Sequence, residues 1–215
     1  MTARVLADDA AGRAVAVDVL REGGVVALPT DTVYGIAVSL ATPGGIERLF
    51  HIKRRPPDKA VMLLLDDAAQ AARAGRITPA AAALAAEFWP GGLTLIVPQR
   101  PDVPWPDVLT GGSATIGLRV PDHDAPRTLA RSLGPLPTTS ANRSGVPEAT
   151  DAAGVVAQLG DEIGLVLDGG PARGGLPSTV VDCSSAQPTI LRAGAVPPES
   201  VAAILARAGI ELAVG

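Results

Sequence analysis

The strongest constraint on what this chain can fold into is a repeated switch of hydrophobic period. Nine short runs read as strands: residues 25–28, 36–40, 61–65, 93–97, 115–120, 136–139, 164–167, 179–182 and 189–191. Six stretches of helical spacing lie between them: from Asp8 or Asp9 to about Glu22, then 43–54, 78–89, 125–133, 151–159 and 198–208. Asp8 or Asp9 can accept from the unpaired N–H groups of a first turn, and Thr78-Pro79 supplies a cap followed by a residue that needs no donor partner. Gly23-Gly24 and Pro56-Pro57 end helices. The 24 Gly and 20 Pro fall between the runs, so they mark turns and not a disordered tract. With no internal repeat and no linker, the pattern predicts one α/β domain over residues 1–215, built on a mixed sheet. A binding site then belongs where the loops at the strand ends converge.

Composition removes several function classes. The net charge of −4 and only five aromatic residues (Tyr34, Phe50, Phe88, Trp89 and Trp105) argue against a nucleic-acid surface or a base-stacking platform. Cys183 is the single cysteine, which excludes an internal disulfide and suits a reducing compartment. The N-terminal MTARVLADDAAGR lacks the apolar core of a signal peptide, and no apolar run reaches membrane-spanning length, so a soluble cytoplasmic protein is expected. Neither lysine sits in a Walker loop, no Gly-x-Gly-x-x-Gly opens a helix, and no Gly-x-Ser-x-Gly elbow is present. His51 and His123 are the only histidines and stand apart from Cys183, so no Cys/His metal site is expected, and Cys183 reads as a small core residue.

Three hydroxyl- and glycine-rich loops remain, together with selected cations. The loops are 29–35, 138–145 and 174–179. Both lysines of the chain lie in Lys53-Arg54-Arg55-Pro56-Pro57-Asp58-Lys59, and the other 16 basic residues are all Arg. A compact ammonium suits phosphate oxygens, so this segment is read as a phosphate site; cations at a helix end also satisfy the dipole with no ligand at all. Arg119 ends a strongly apolar strand and must stay at its exposed end or find an anion; its planar fork suits a carboxylate. Arg192 stands in the same relation to Thr189-Ile190-Leu191. Asp31 reads either as a turn residue satisfying local backbone donors or as part of a polar-ligand loop. The Pro-rich stretch 100–113 has the length of a lid or binding loop.

Taken as a set, these segments resemble the YrdC/TsaC family of threonylcarbamoyl-AMP synthases. The pieces that carry the resemblance are Pro29-Thr30-Asp31-Thr32-Val33-Tyr34-Gly35, Lys53-Arg54-Arg55-Pro56, Phe88-Trp89-Pro90-Gly91-Gly92-Leu93-Thr94, residues 115–121, Ser140-Ala141-Asn142-Arg143-Ser144-Gly145, Leu167-Asp168-Gly169-Gly170, Ser178-Thr179-Val180-Val181-Asp182 and Leu191-Arg192. They follow the family's order and span nearly the whole chain. The resemblance implies a three-layer fold, a twisted mixed sheet with helices packed on it, around a wide basic cavity. It also implies a nucleotidyltransferase that condenses L-threonine, bicarbonate and ATP to threonylcarbamoyl-AMP and pyrophosphate, for threonylcarbamoyladenosine in tRNA. By that match Lys53 and Arg55 form the catalytic pair on the phosphates, and Lys59, Thr115, Ser140, Asn142 and Arg192 complete the ATP site. Thr32, Arg119 and Ser178 hold threonine, with Arg119 on its carboxylate. Magnesium is expected with ATP, mostly on phosphate oxygens, because no acidic cage is visible. The partners implied are downstream tRNA threonylcarbamoyltransferase proteins, with weak or indirect tRNA contact and no membrane.

Lys59, Ala60, Leu64, Pro177 and Ala193 depart from the commoner family residues, and Leu64 removes a polar contact that the family offers threonine. The sequence ends soon after Arg192, so a single-domain short form, lacking the additional C-terminal domain of longer members, is expected. Rival readings are a YciO-like paralogue of different or weak ligase activity, which loses the lysine–arginine pair kept here, a carbamoyl-transfer domain as in HypF, and a non-catalytic RNA-binding module.

Overall fold

The computed structural model describes residues 3–54 and 60–213. The elements, in chain order, begin with β1 (Arg4–Ala7), α1 (Ala10–Arg21), β2 (Val26–Leu28), β3 (Gly35–Ala37), α2 (Gly45–Lys53) and β4 (Met62–Leu64). Next come α3 (Ala68–Ala74), α4 (Pro79–Phe88), β5 (Leu93–Pro98), α5 (Asp107–Thr110), β6 (Thr115–Arg119) and α6 (Asp124–Leu133). The chain closes with β7 (Leu136–Ser140), α7 (Ala152–Leu159), β8 (Leu165–Asp168), β9 (Thr179–Asp182), β10 (Thr189–Arg192) and α8 (Pro198–Arg207).

The strands form one mixed sheet in the order β1-β8-β2-β3-β7-β4-β6-β5-β9-β10. Alternation along each strand sorts the side chains into two faces. Ile36, Leu63, Leu95, Val97, Ile116, Leu118, Val166 and Val181 point to one face, where they meet the apolar sides of α2, α4, α7 and α8 in the larger core. Val26, Leu28, Ala37, Leu64, Leu136, Leu165 and Leu167 point to the other, under α1 and α6. Helices on both faces of a sheet make the three layers that the resemblance implies. Helices α1 and α6 cover only part of their face. Beyond them, on the same face, Thr94 and Ile96 of β5, Thr115, Gly117 and Arg119 of β6, and Val180 of β9 line an open cavity.

Local capping follows the sequence. Asp9 accepts from Gly12 N at 2.8 Å, Thr78 from Ala81 N at 3.2 Å, and Asp151 from Gly154 N at 2.7 Å, each satisfying a first-turn donor. Three expectations need correction. Strand β1 and helix α3 form where no element was expected; β1 is an edge strand of four residues paired only to β8, and α3 is one Ala-rich segment capped by Asp67. The strand expected over 36–40 stops at Ala37, because Ser39 turns the chain by accepting from Ala41 N and Thr42 N. The stretch 100–113 is no lid over the cavity: it contains α5, buries Leu109, and is tied down by Trp105 Nε1 to Ala74 O at 2.9 Å and by Val61 N to Leu109 O at 2.8 Å. His123 is the N-cap of α6, its Nδ1 accepting from Ala125 N at 3.2 Å. Cys183 lies in the core, and burial pushes its thiol up to about 12. Among the described residues no helix is long and apolar enough to cross a membrane.

Candidate functional site

The loop after β2 organises itself before it meets any other element. Thr30 donates its hydroxyl to Val33 O at 2.7 Å and accepts from Thr32 N at 3.1 Å, and the two threonine hydroxyls lie 3.0 Å apart. Tyr34 then leaves the loop for the core, where its phenol donates to Gly170 O at 2.7 Å and accepts from Gly169 N at 3.1 Å. Burial pushes that phenol up to about 12, so it serves as a clamp on the β8–β9 connection and not as an acid near neutrality.

Arg119 is delivered to this loop by β6. The period of two puts Thr115, Gly117 and Arg119 on the cavity face while Ile116 and Leu118 fill the core. The guanidinium is only 2 % exposed. It donates from Nε to Gly91 O at 3.0 Å, from Nη1 to Thr32 Oγ1 at 2.9 Å, and from Nη2 to Asp31 Oδ1 at 2.6 Å. Asp31 Oδ1 also accepts from Asp122 N at 3.1 Å. The anion that the buried arginine requires is thus Asp31, which the sequence leaves open between a turn residue and part of a polar-ligand loop; 88 residues of separation hid the pairing. Burial pulls Arg119 below the ordinary guanidinium value, against the opposing pull of Asp31. Three of its five N–H groups are bound among the described residues, and the others are available to a carboxylate.

On the opposite wall, α2 ends at Lys53, which is 4 % exposed. Its Nζ donates to Ser140 O at 2.6 Å, Asn142 O at 2.7 Å and Asn142 Oδ1 at 2.7 Å. Ser140 Oγ also donates to Asn142 Oδ1 at 2.6 Å, and Asn142 Nδ2 donates to Val146 O at 2.6 Å. One ammonium therefore shapes the loop after β7 while lining the cavity. Arg54 is exposed at the helix end, in the left-handed conformation with φ 52°, and lies off the cavity. Arg55 and Lys59, expected on the phosphates, lie outside the described residues.

The third wall joins β5, β9 and β10. Thr94 and Ser178 share a hydrogen bond at 2.8 Å, and Arg192 grips Ser178 O from Nε and Nη2 at 3.1 and 2.7 Å. Strict alternation would put Arg192 on the core face with Ile190. A bulge at Leu191 prevents this: Ile190 pairs with Val181 and Arg192 with Val180, so the guanidinium turns to the cavity. Close approach also matters here, since a Cβ on Gly194 would lie 2.3 Å from Pro177 O.

These walls enclose about 540 Å³. Lys53, Thr115, Ser140, Asn142, Arg192, Thr32, Arg119 and Ser178, the described members of the expected site, all line it. Among the described residues its charged lining is Lys53, Arg119 and Arg192, with no carboxylate, so the cavity is basic although the chain is acidic. No group of three or more His, Cys, Asp or Glu among the described residues could hold a metal. The floor includes Thr94, which sequence reading quoted within a motif but gave no role; the lone hydroxyl in Leu93-Thr94-Leu95-Ile96-Val97 was the available signal.

Residues 18–194 match the family model of Sua5, YciO and YrdC proteins, described as "Telomere recombination". A threonylcarbamoyl-AMP synthase of Bacillus subtilis is 38 % identical over 194 residues, covering 89 % of this chain and 56 % of the relative. A putative threonylcarbamoyl-AMP synthase of Mycobacterium tuberculosis is 37 % identical over 191 residues, covering 88 % of this chain and 87 % of its own length. The crystal structure of Pyrococcus abyssi Sua5 complexed with L-threonine superposes with a TM-score of 0.88 at 32 % identity, over 99 % of this chain and 62 % of that one. The chain thus spans little more than half the length of the Bacillus relative and less than two thirds of the Pyrococcus protein.

Proposed function

The chain belongs to the Sua5/YciO/YrdC family, and from that premise we propose that it is an L-threonylcarbamoyladenylate synthase. The observation that carries the reading is the single cavity in which a buried, oriented arginine faces Lys53 and Arg192, with no carboxylate in the described wall. That is a receptor for an amino-acid carboxylate beside a receptor for phosphates.

The reaction asks for placement and charge neutralisation more than for a side-chain nucleophile. The threonine nitrogen takes carbon dioxide from bicarbonate with loss of water and a proton. A carbamate oxygen then attacks the α-phosphorus, the bond to the β-phosphate oxygen breaks, and pyrophosphate leaves. Arg119 binds the threonine carboxylate, with Thr32 and Ser178 beside it. Lys53 and Arg55 stabilise the phosphates, and Lys59, Thr115, Ser140, Asn142 and Arg192 complete the ATP site. Magnesium would be held by phosphate oxygens and would supply further neutralisation of phosphate charge, since the hydroxyl and cation lining of the described wall offers no carboxylate cage. The adenylate passes to tRNA threonylcarbamoyltransferase proteins in the cytoplasm, and tRNA itself makes weak or indirect contact.

The test is pyrophosphate release with ATP, bicarbonate and each amino acid in turn. Release that needs threonine and bicarbonate together, and collapses in Lys53→Ala, is the expected result. Absence of release with every amino acid refutes the proposal.

A further inference from the structure

The hydrogen bonds of the 29–35 loop have a direction, and that direction restricts what the site accepts. Thr30 owns one hydroxyl proton, and it goes to Val33 O at 2.7 Å. Between the Thr30 and Thr32 hydroxyls, 3.0 Å apart, the donor is therefore Thr32. Thr30 also accepts from Thr32 N at 3.1 Å, so its oxygen is saturated and has nothing to give a ligand. Thr32 has spent its proton on Thr30 and accepts from Arg119 Nη1 at 2.9 Å, which leaves one lone pair and no donor. Thr30 and Thr32 are 4 % and 1 % exposed, so bulk water is a poor competitor for these bonds.

We infer that Thr30 is a positioning residue that makes Thr32 an acceptor-only group, so that the site selects a ligand carrying an N–H donor next to its carboxylate. This rests on the amino-acid reading above. A carboxylate oxygen placed on Thr32 meets lone pair against lone pair and is turned to the remaining N–H groups of Arg119. The amino nitrogen beside that carboxylate finds the acceptor it needs. Holding one of its N–H bonds also directs the nitrogen lone pair that must take carbon dioxide. A turn that only needed stabilising would be served by the bond from Thr32 N alone. The donation to Val33 O is what sets the polarity.

The experiment compares L-threonine with 3-hydroxybutyrate, which keeps the carboxylate and hydroxyl and lacks the amine, by calorimetry on the whole chain. Wild type should bind threonine at least tenfold more tightly. Thr30→Val, checked for folding by circular dichroism, should bring that preference under threefold while the KM for ATP stays within twofold; Thr30→Ser should restore it. Thr30→Ala replaces the valine variant if valine disturbs folding. A wild-type preference under threefold, or a folded Thr30→Val or Thr30→Ala that keeps the full preference, overturns the inference. Threonine bound with the stated preference but without pyrophosphate release removes the synthase proposal and leaves this one standing. Equal binding of the two ligands with pyrophosphate release does the reverse.

Discussion

Replacing Asp31 by Ala removes the anion from one of the most buried charges in the fold. Arg119 is 2 % exposed and the Asp31 side chain 11 %, with 2.6 Å between Nη2 and Oδ1. Deleting one partner of a buried pair costs about 3–5 kcal/mol, because the other charge is left without compensation. Gly91 O and Thr32 Oγ1 remain as acceptors for the guanidinium, which places the loss at about 3 kcal/mol. For a chain of this length roughly 2–4 °C of melting temperature accompanies each kcal/mol, so Tm should fall by about 6–12 °C. Asp31→Asn keeps an acceptor for Nη2 and for Asp122 N and should lose about half as much. The decisive measurement is a double-mutant cycle with Arg119→Met, followed by thermal and urea denaturation. Removing both charges should cost less than the sum of the single losses by at least about 2 kcal/mol. A melting temperature for Asp31→Ala within about 2 °C of wild type, or strict additivity in the cycle, would refute the reasoning.

Three other outcomes follow from the same geometry. Thr94→Val removes the partner of the Ser178 hydroxyl, 2.8 Å away, and should raise the KM for threonine several-fold with the KM for ATP unchanged, read from pyrophosphate release. Gly194→Ala forces a Cβ to within 2.3 Å of Pro177 O and should cost about 1–3 kcal/mol by urea titration. His123 has its pKa lowered by burial, with Asp8 pulling the other way, so the unfolded chain takes up the proton first as pH falls. Its contribution is complete well above the ordinary histidine value of about 6.5 and is lost as pH drops through that value towards the lower folded one. His123→Asn, a cap that does not titrate, should flatten the fall in Tm between about pH 7.5 and 5.5.

Most of the elements were legible because their causes are local. Period-two and helical spacing, Asp9, Thr78 and Asp151 as caps, and Gly and Pro between the runs act over a few residues, and apart from β3, which stops early at Ala37, the expected elements form within a residue or two of where these signals place them. The segments that fell short had weak local signals: the four-residue edge strand β1, the single alanine-rich α3, and α5 inside a Pro-rich stretch. The residues of the candidate site were named from the sequence by the family resemblance, while the convergence of strand-end loops gave only its general place. Its wiring was not legible. Lys53 reaches Ser140 and Asn142 across 87 and 89 residues, and Arg119 finds Asp31 across 88. Alternation by itself would bury Arg192 with Ile190, and only the bulge against β9 turns it to the cavity. Hydrophobic period decides which side chains share a face of a strand. Which strands become neighbours and which counter-ion a buried charge meets depend on packing between distant segments, and that was settled by the tertiary structure.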